Sequence, residues 1–237
     1  MPTLEINNLT IFENENKIVD LFNENYKQLI IKSSLAIVGQ SGSGKSLTLK
    51  SILNLLPSNL SKNFDYKFNT KLNFENIGLI PQNPFTSLSP MTKIDKQFFC
   101  DNPKINHLLK LVDLEEEVRY KFPIQLSGGQ LQRVVIAIVL SKSPKLLLLD
   151  EPTTALDEKS KDIIINMIKK LQKELNFIII FVSHDIESIK DICKDIAILK
   201  DGTIIEYGDL NTIVNNPKNN YTKELIQSNF KNREFRV

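Results

Sequence analysis

At 237 residues the chain can bury a large single core, and its 41% apolar and 24% charged residues exclude a disordered or fibrous protein. A formal charge of +2, with acidic and basic residues mixed throughout, excludes a concentrated basic footprint for nucleic acid and a polybasic membrane anchor. No apolar run reaches the roughly 18–20 residues that span a bilayer, and MPTLEINNLTIFENEN lacks a signal-peptide layout, so the chain is expected to stay in the cytosol.

LEINNLTIF (4–12) and KQLIIKSSLAIVG (27–39) read as short strands, with LAIV buried by its unbroken apolar character. Ser46 to Leu56 carries apolar residues at helical spacing and stops before Pro57. Residues 58–76 are polar and aromatic; IGLI (77–80) is strand-like, and the three prolines of PQNPFTSLSPM (81–91) break any helix. From about 92 to 123 the pattern is helical (INHLLKLVDLEEEV), and 83–140 is read as a helical insertion between two α/β halves. KLLLLD (145–150) and FIIIFVS (177–183) have the character of strands buried on both faces; the helical stretch Ser160–Leu175 joins them as a crossover, which predicts a parallel sheet. DIAILKDGTIIEYGD (195–209) predicts a hairpin turning at Asp201-Gly202. Cys100 and Cys193 have no metal-ligand spacing and are read as reduced packing residues.

GQSGSGKS (39–46) follows a strand and opens a helix, the context a phosphate loop requires. Gly39, Gly42 and Gly44 let successive N–H groups face phosphate oxygens, Lys45 brings a positive charge, Ser46 offers a hydroxyl to Mg²⁺, and the helix adds its positive end. At the end of the Leu-rich strand, Asp150 can hold Mg²⁺ through water, and Glu151 can polarise an attacking water. A second glycine turn, LSGGQLQR (126–133), opens another helix and raises the question of what a second anion-holding turn is for.

Taken together, these motifs resemble those of the ATP-binding subunits of ABC transporters over nearly the whole chain. LSGGQ resembles the signature motif, LLLLDEP the Walker B segment, TALD (154–157) the D-loop and FVSHD (181–185) the switch-histidine segment, while Gln82 stands at the Q-loop position. The resemblance implies an α/β P-loop NTPase of the ABC type, with a RecA-like parallel-sheet core, an N-terminal antiparallel β region and a shortened helical subdomain. As one ABC domain spanning 1–237, it would comprise core and β region in 1–82 and 141–237, and helical subdomain with signature motif in 83–140. It implies that ATP is held by Gly39, Gln40, Ser41, Gly42, Ser43, Gly44, Lys45, Ser46, Leu47 and Asp150, and Mg²⁺ by Ser46, Gln82 and Asp150. Ser127, Gly128, Gly129, Gln130 and Asp157 would serve a nucleotide cradled by a second ATPase subunit, identical or paralogous, so that each chain carries two half-sites. ATP would bridge the closed pair through contacts that ADP lacks. Glu151, His184 and Gln82 would be catalytic.

Phe12, 27 residues before Gly39, is either a core aromatic of the first strand or the adenine platform of the family. Phe85 and Leu88 are either loop anchors or part of a surface docking on a membrane permease. His107 is read as structural or solvent-facing.

PQNPFTSLSPM and NPKNNYTKELIQS (216–228) further resemble segments of the peptide and nickel importer group. Asn219-Asn220 replaces His-Pro of the tail motif, and the intervals from Lys45 to Gln82 and from Gln82 to Ser127 are short for that group. No cysteine follows the tail motif, so an iron–sulfur extension is not expected. These departures tilt the expectation towards nickel, a metal chelate or another small substrate, with peptides as the other member of the group. The implied partners are transmembrane permease subunits and, indirectly, a substrate-binding protein, with no nucleic acid. The implied location is peripheral, on the cytoplasmic face of the plasma membrane. A family member acting on DNA or the ribosome would need a coiled-coil insertion or two cassettes, and an inactive partner would be expected to lack one of Lys45, Asp150, Glu151, Ser127 or His184.

Overall fold

The computed structural model describes residues 2–69, 74–154 and 156–231; Met1, residues 70–73 of the polar stretch, Ala155 of TALD and residues 232–237 lie outside the described residues. The chain divides into two compact units, Met1–Lys71 with Ile178–Val237, and Leu72–Phe177.

In the first unit, β1 (Leu4–Glu13) pairs with β2 (Asn16–Asp20) along its second half and with β3 (Leu29–Ile31) along its first. A bulge between Ile6 and Asn8 switches the inward row, so that Leu4 and Ile6 are followed by Leu9 and Ile11 in the core. β4 (Ser34–Val38) is buried at all five positions and leads through the Gly-rich turn into α1 (Lys45–Ile52). That helix is shorter than the sequence pattern predicts. Asn54 turns left-handed at φ 57°, and Leu55 N–H to Lys50 O (2.8 Å) with Asn54 N–H to Ser51 O (3.1 Å) form the paired bonds of a Schellman ending.

The stretch 58–76, for which the sequence suggested no element, contains β5 (Leu60–Phe68), antiparallel to β1 over nearly its whole length.

The second unit begins its sheet with β6 (Ile77–Ile80). Gly78 is required there: a Cβ would stand 2.4 Å from Val139 Cγ1. The helical expectation for 92–123 holds only in α2 (Asn102–Leu111), flanked by 3-10 turns at Ile94–Gln97 and Glu116–Tyr120. Asp101 caps α2 by accepting from Lys104 N–H. It ends in a second Schellman pair, Leu114 N–H to Leu109 O and Asp113 N–H to Lys110 O, with Asp113 left-handed at φ 52°. α3 (Gly128–Ser141) follows; then β7 (Leu146–Asp150), parallel to β6, and the amphipathic α4 (Glu158–Leu175).

Back in the first unit, β8 (Ile178–Ser183), buried at every position, runs parallel to β4. After α5 (Ile186–Lys190), β9 (Asp195–Lys200) flanks β4 on the other side, also parallel. Strands enclosed on both faces have no polar side to alternate with, which is why they are continuous apolar runs. β10 (Thr203–Asp209) returns antiparallel to β9. Asp201 (φ 47°) and Gly202 (φ 78°) give the two left-handed residues a tight hairpin demands. α6 (Leu210–Asn215) and α7 (Asn220–Lys231) complete the described chain. Cys193 is buried, and burial, then the Asp195 carboxylate, pushes its thiol well up; Cys100 is only half-buried, against the packing role expected for it. Among the described residues no helix is long and apolar enough to cross a membrane.

Candidate nucleotide site

The phosphate loop follows the buried end of β4. Gly42 and Gly44 lie in the left-handed region, at φ +83° and +98°, a conformation costly for any residue with a Cβ. Gly39 is needed for another reason: its Cβ would sit 2.2 Å from the Leu199 carbonyl oxygen. The Lys45 ammonium folds back within the loop and donates to the carbonyls of Gly39 (2.8 Å) and Gln40 (2.9 Å). Gly44 is the N-cap of α1 and gives it no side-chain cap. Gln40, Ser41 and Ser46 are exposed, Leu47 half-buried and Ser43 buried.

Two holders of this loop escaped the sequence reading. Gly202 N–H donates to Ser43 O (3.1 Å), and Gln40 N–H donates to the Tyr221 hydroxyl (3.1 Å). The hairpin turn and the NPKNNYTKEL segment were each visible as motifs. Nothing in a linear sequence, however, places them against a loop more than 150 residues earlier.

His184 is exposed immediately beyond β8, whereas Ser183 is buried and its Oγ accepts from Asp185 N–H (2.9 Å). His107 is exposed on α2. Phe12 is half-exposed at a bulge of β1, beside the fully buried Ile11, so Ile11 rather than Phe12 supplies the core row.

In the second unit the structure brings Gln82 and Glu151 together. Gln82 Nε2 donates to Glu151 Oε2 (3.3 Å), and the Thr154 hydroxyl donates to the same oxygen (3.2 Å). Glu151 is left-handed, φ 47°, a strained state for a non-glycine residue that concentrates at functional sites. Asp150, half-exposed, ends β7 directly before it. Gln82, Pro84, Phe85, Gly128, Thr154 and Leu156 share one cleft with Asn83. Leu88 is buried, 8% exposed, and acts as a loop anchor, whereas Phe85 is 56% exposed.

The signature turn is a reciprocal capping box. Ser127 Oγ accepts from Gln130 N–H (3.3 Å), and Gln130 Oε1 accepts from Ser127 N–H (3.1 Å). These bonds occupy the N–H groups of Ser127 and Gln130, so Gly128 and Gly129, the first two residues of α3, supply the turn's remaining donors. The Ser-x-x-Gln spacing that allows this box stands in the sequence, which was read only as an anion-holding glycine turn. Asp157 caps α4, accepting from Ser160 Oγ (2.7 Å) and Ser160 N–H (3.0 Å). Those hydrogen bonds hold its carboxyl below the usual range.

The donor types fit Mg²⁺. Ser46, Gln82 and Asp150 offer hydroxyl, amide and carboxylate oxygens, and among the described residues no group of three or more His, Cys, Asp or Glu could hold a metal. Oxygens of these types are the ones Mg²⁺ takes alongside waters and phosphates.

Residues 28–154 match the family model described as ABC transporter, and the chain belongs to that family, whose domain binds ATP. It is 37% identical over 224 residues to the oligopeptide transport ATP-binding protein OppD of Bacillus subtilis, covering 82% of this chain and 62% of that protein. It is 35% identical over 227 residues to the dipeptide transport ATP-binding protein DppD of Caldanaerobacter subterraneus, covering 84% and 70%. The chain thus spans less than two thirds of OppD, and 48% of an uncharacterised ABC transporter ATP-binding protein, YejF of Escherichia coli, to which it is 32% identical over 95% of its own length. Among solved structures, cbiO1 of Clostridium perfringens, part of the ABC transporter complex cbiONQ, superposes with a TM-score of 0.76 at 26% identity, covering 90% of each chain.

Proposed function

We propose that this chain is the ATP-hydrolysing subunit of a membrane importer for peptides. The observation that carries the reading is the meeting of Gln82 and Thr154 on the carboxylate of the left-handed Glu151; the relatives named for oligopeptide and dipeptide transport supply the substrate class. They favour peptides over the nickel or metal-chelate substrate towards which the short intervals point.

In this reading the phosphate loop and Lys45 bind the ATP phosphates, and Glu151 accepts the proton of the attacking water. Gln82 orients Glu151, and His184 contacts the γ-phosphate. The N–H groups of Gly128 and Gly129 cap the γ-phosphate of a nucleotide held by a second ATPase subunit, with Ser127, Gln130 and Asp157 shaping that half-site. Ser46, Gln82 and Asp150 would hold Mg²⁺, which would supply positive charge against the phosphates. Phe12, half-exposed, offers the adenine a face. The subunit works peripherally at the cytoplasmic face of the membrane, docked through the exposed Phe85 region on a permease that a substrate-binding protein serves.

The test is co-expression with the neighbouring genes, purification through a tag on this chain, and ATP hydrolysis in vesicles with peptide-loaded binding protein. Recovery of a permease and peptide-stimulated hydrolysis are expected. Stimulation by nickel alone would overturn the substrate class, and nanomolar nucleic-acid binding without a permease would overturn the transport reading.

A further inference from the structure

We propose that Tyr221 is a positioning residue for nucleotide binding: its hydroxyl fixes the entrance of the phosphate loop through the Gln40 N–H. This rests on the nucleotide site described above and assigns it a residue from the far end of the described chain.

Gln40 is held on both sides. Its N–H donates to Tyr221 Oη (3.1 Å), and its carbonyl accepts from the Lys45 ammonium (2.9 Å), which also holds Gly39 O (2.8 Å). For Lys45 to meet a phosphate, it must turn from those carbonyls. The bond to Tyr221 makes no use of the lysine, so it persists through that turn and holds the loop's entrance ahead of its two left-handed glycines.

Tyr221 is itself well placed. Its N–H donates to Asn219 Oδ1 (2.9 Å), and the carboxylate of Glu206, only 4% exposed, accepts from Lys218 N–H (2.9 Å) and Asn219 N–H (3.1 Å). The Lys200 ammonium lies 5.1 Å from the Tyr221 ring centroid. Lys200 and Glu206 belong to the β9–β10 hairpin, whose Gly202 N–H donates to Ser43 O (3.1 Å) on the same loop. Loop, hairpin and tail are therefore one hydrogen-bonded cluster, and Asn219, which stands where the importer group carries histidine, orients the tyrosine.

A preformed loop binds the ground state and the transition state of ATP hydrolysis alike, so its loss appears in affinity rather than in turnover. The experiment is Tyr221→Phe, which deletes one oxygen and leaves the ring. Equilibrium binding of a fluorescent ATP analogue, steady-state hydrolysis and thermal unfolding are measured on variant and wild type. Kd and KM are expected to rise ~3–10-fold, the scale of one neutral hydrogen bond, with kcat within about twofold and Tm lowered by no more than ~2–4 °C. In a Gln40→Pro background, which removes the donor, Tyr221→Phe should add nothing. Equal affinities of Tyr221→Phe and wild type would overturn the proposal, as would a fall in affinity accompanied by a fall in Tm well beyond that of one hydrogen bond, which would make the tyrosine a latch for the tail alone. A wild-type protein that binds no analogue would instead sink the nucleotide-site reading itself.

Discussion

Glu151, proposed as the general base, sits on an unfavourable backbone. Its φ of 47° costs on the order of 1 kcal/mol or more relative to an ordinary conformation. In that conformation the carboxylate meets the Gln82 amide and the Thr154 hydroxyl on one oxygen. Replacement by glutamine retains shape and hydrogen-bonding capacity but removes the proton acceptor. Turnover of Glu151→Gln is expected to drop by ~10²–10³ with ATP affinity preserved, measured by phosphate release and equilibrium binding; unchanged hydrolysis would remove Glu151 from the role of base. At this scale the sequence was informative, because phosphate loops and acidic strand ends have fixed residue types at fixed spacing. It was silent on Tyr221 and Gly202, whose roles come from atoms brought together across the fold.

Helix ends are where the elements departed from sequence pattern. Apolar spacing continued past Ile52 and past Leu111, yet Asn54 and Asp113 adopt left-handed conformations and close both helices; periodicity does not report φ. β5 was hidden for a different reason. Its half-buried row, Leu60, Lys62, Phe64 and Phe68, includes a lysine, which breaks the apolar alternation by which a strand is recognised. Lys62 is tolerated because its ammonium donates to the Ser51 carbonyl and lies 5.3 Å from the Phe64 ring centroid, while burial lowers its pKa.

The N-caps yield a pH dependence. Asp157 is held below the usual carboxylate range by the Ser160 hydroxyl and N–H, and Asp209 by the Thr212 N–H and hydroxyl. Because their folded pKa values lie below the unfolded ones, the stabilisation is present in full above the ordinary Asp value of ~3.9 and is lost as pH falls through the folded values. Asparagine caps without titrating. The double variant Asp157→Asn, Asp209→Asn is expected to match wild type at neutral pH and to show a shallower acid limb in urea midpoints measured across the Asp range. An unchanged limb would place the acid sensitivity elsewhere.

For the whole molecule, the parallel arrangement was legible because strands enclosed on both faces must be apolar throughout, and LAIV, LLLL and FIIIFV are. The bounds of the two units differ from those of the 83–140 insertion read in the sequence, since packing boundaries are set by contacts far apart in the chain rather than by composition. The two proposed half-sites give the molecule-scale prediction. Solution mass of Glu151→Gln by light scattering is expected to shift from one chain to two with Mg²⁺-ATP and to remain at one with Mg²⁺-ADP. A monomer under both conditions would assign the second half of each site to a different ATPase subunit or to assembly on a permease.

The hydrogen bond between Gln40 and Tyr221 spans 181 residues, which gives the phosphate loop a schedule. During vectorial synthesis at ~5–20 residues per second, the loop leaves the ribosome roughly 10–40 s before the tyrosine that holds it. The neighbours of β4 are equally late, since Ser34 pairs in register with Ile179 and Leu35 with Asp195. A nascent chain therefore carries the whole GQSGSGKS motif for tens of seconds without the partners that shape it, and tight nucleotide capture belongs to the finished fold rather than to the growing one.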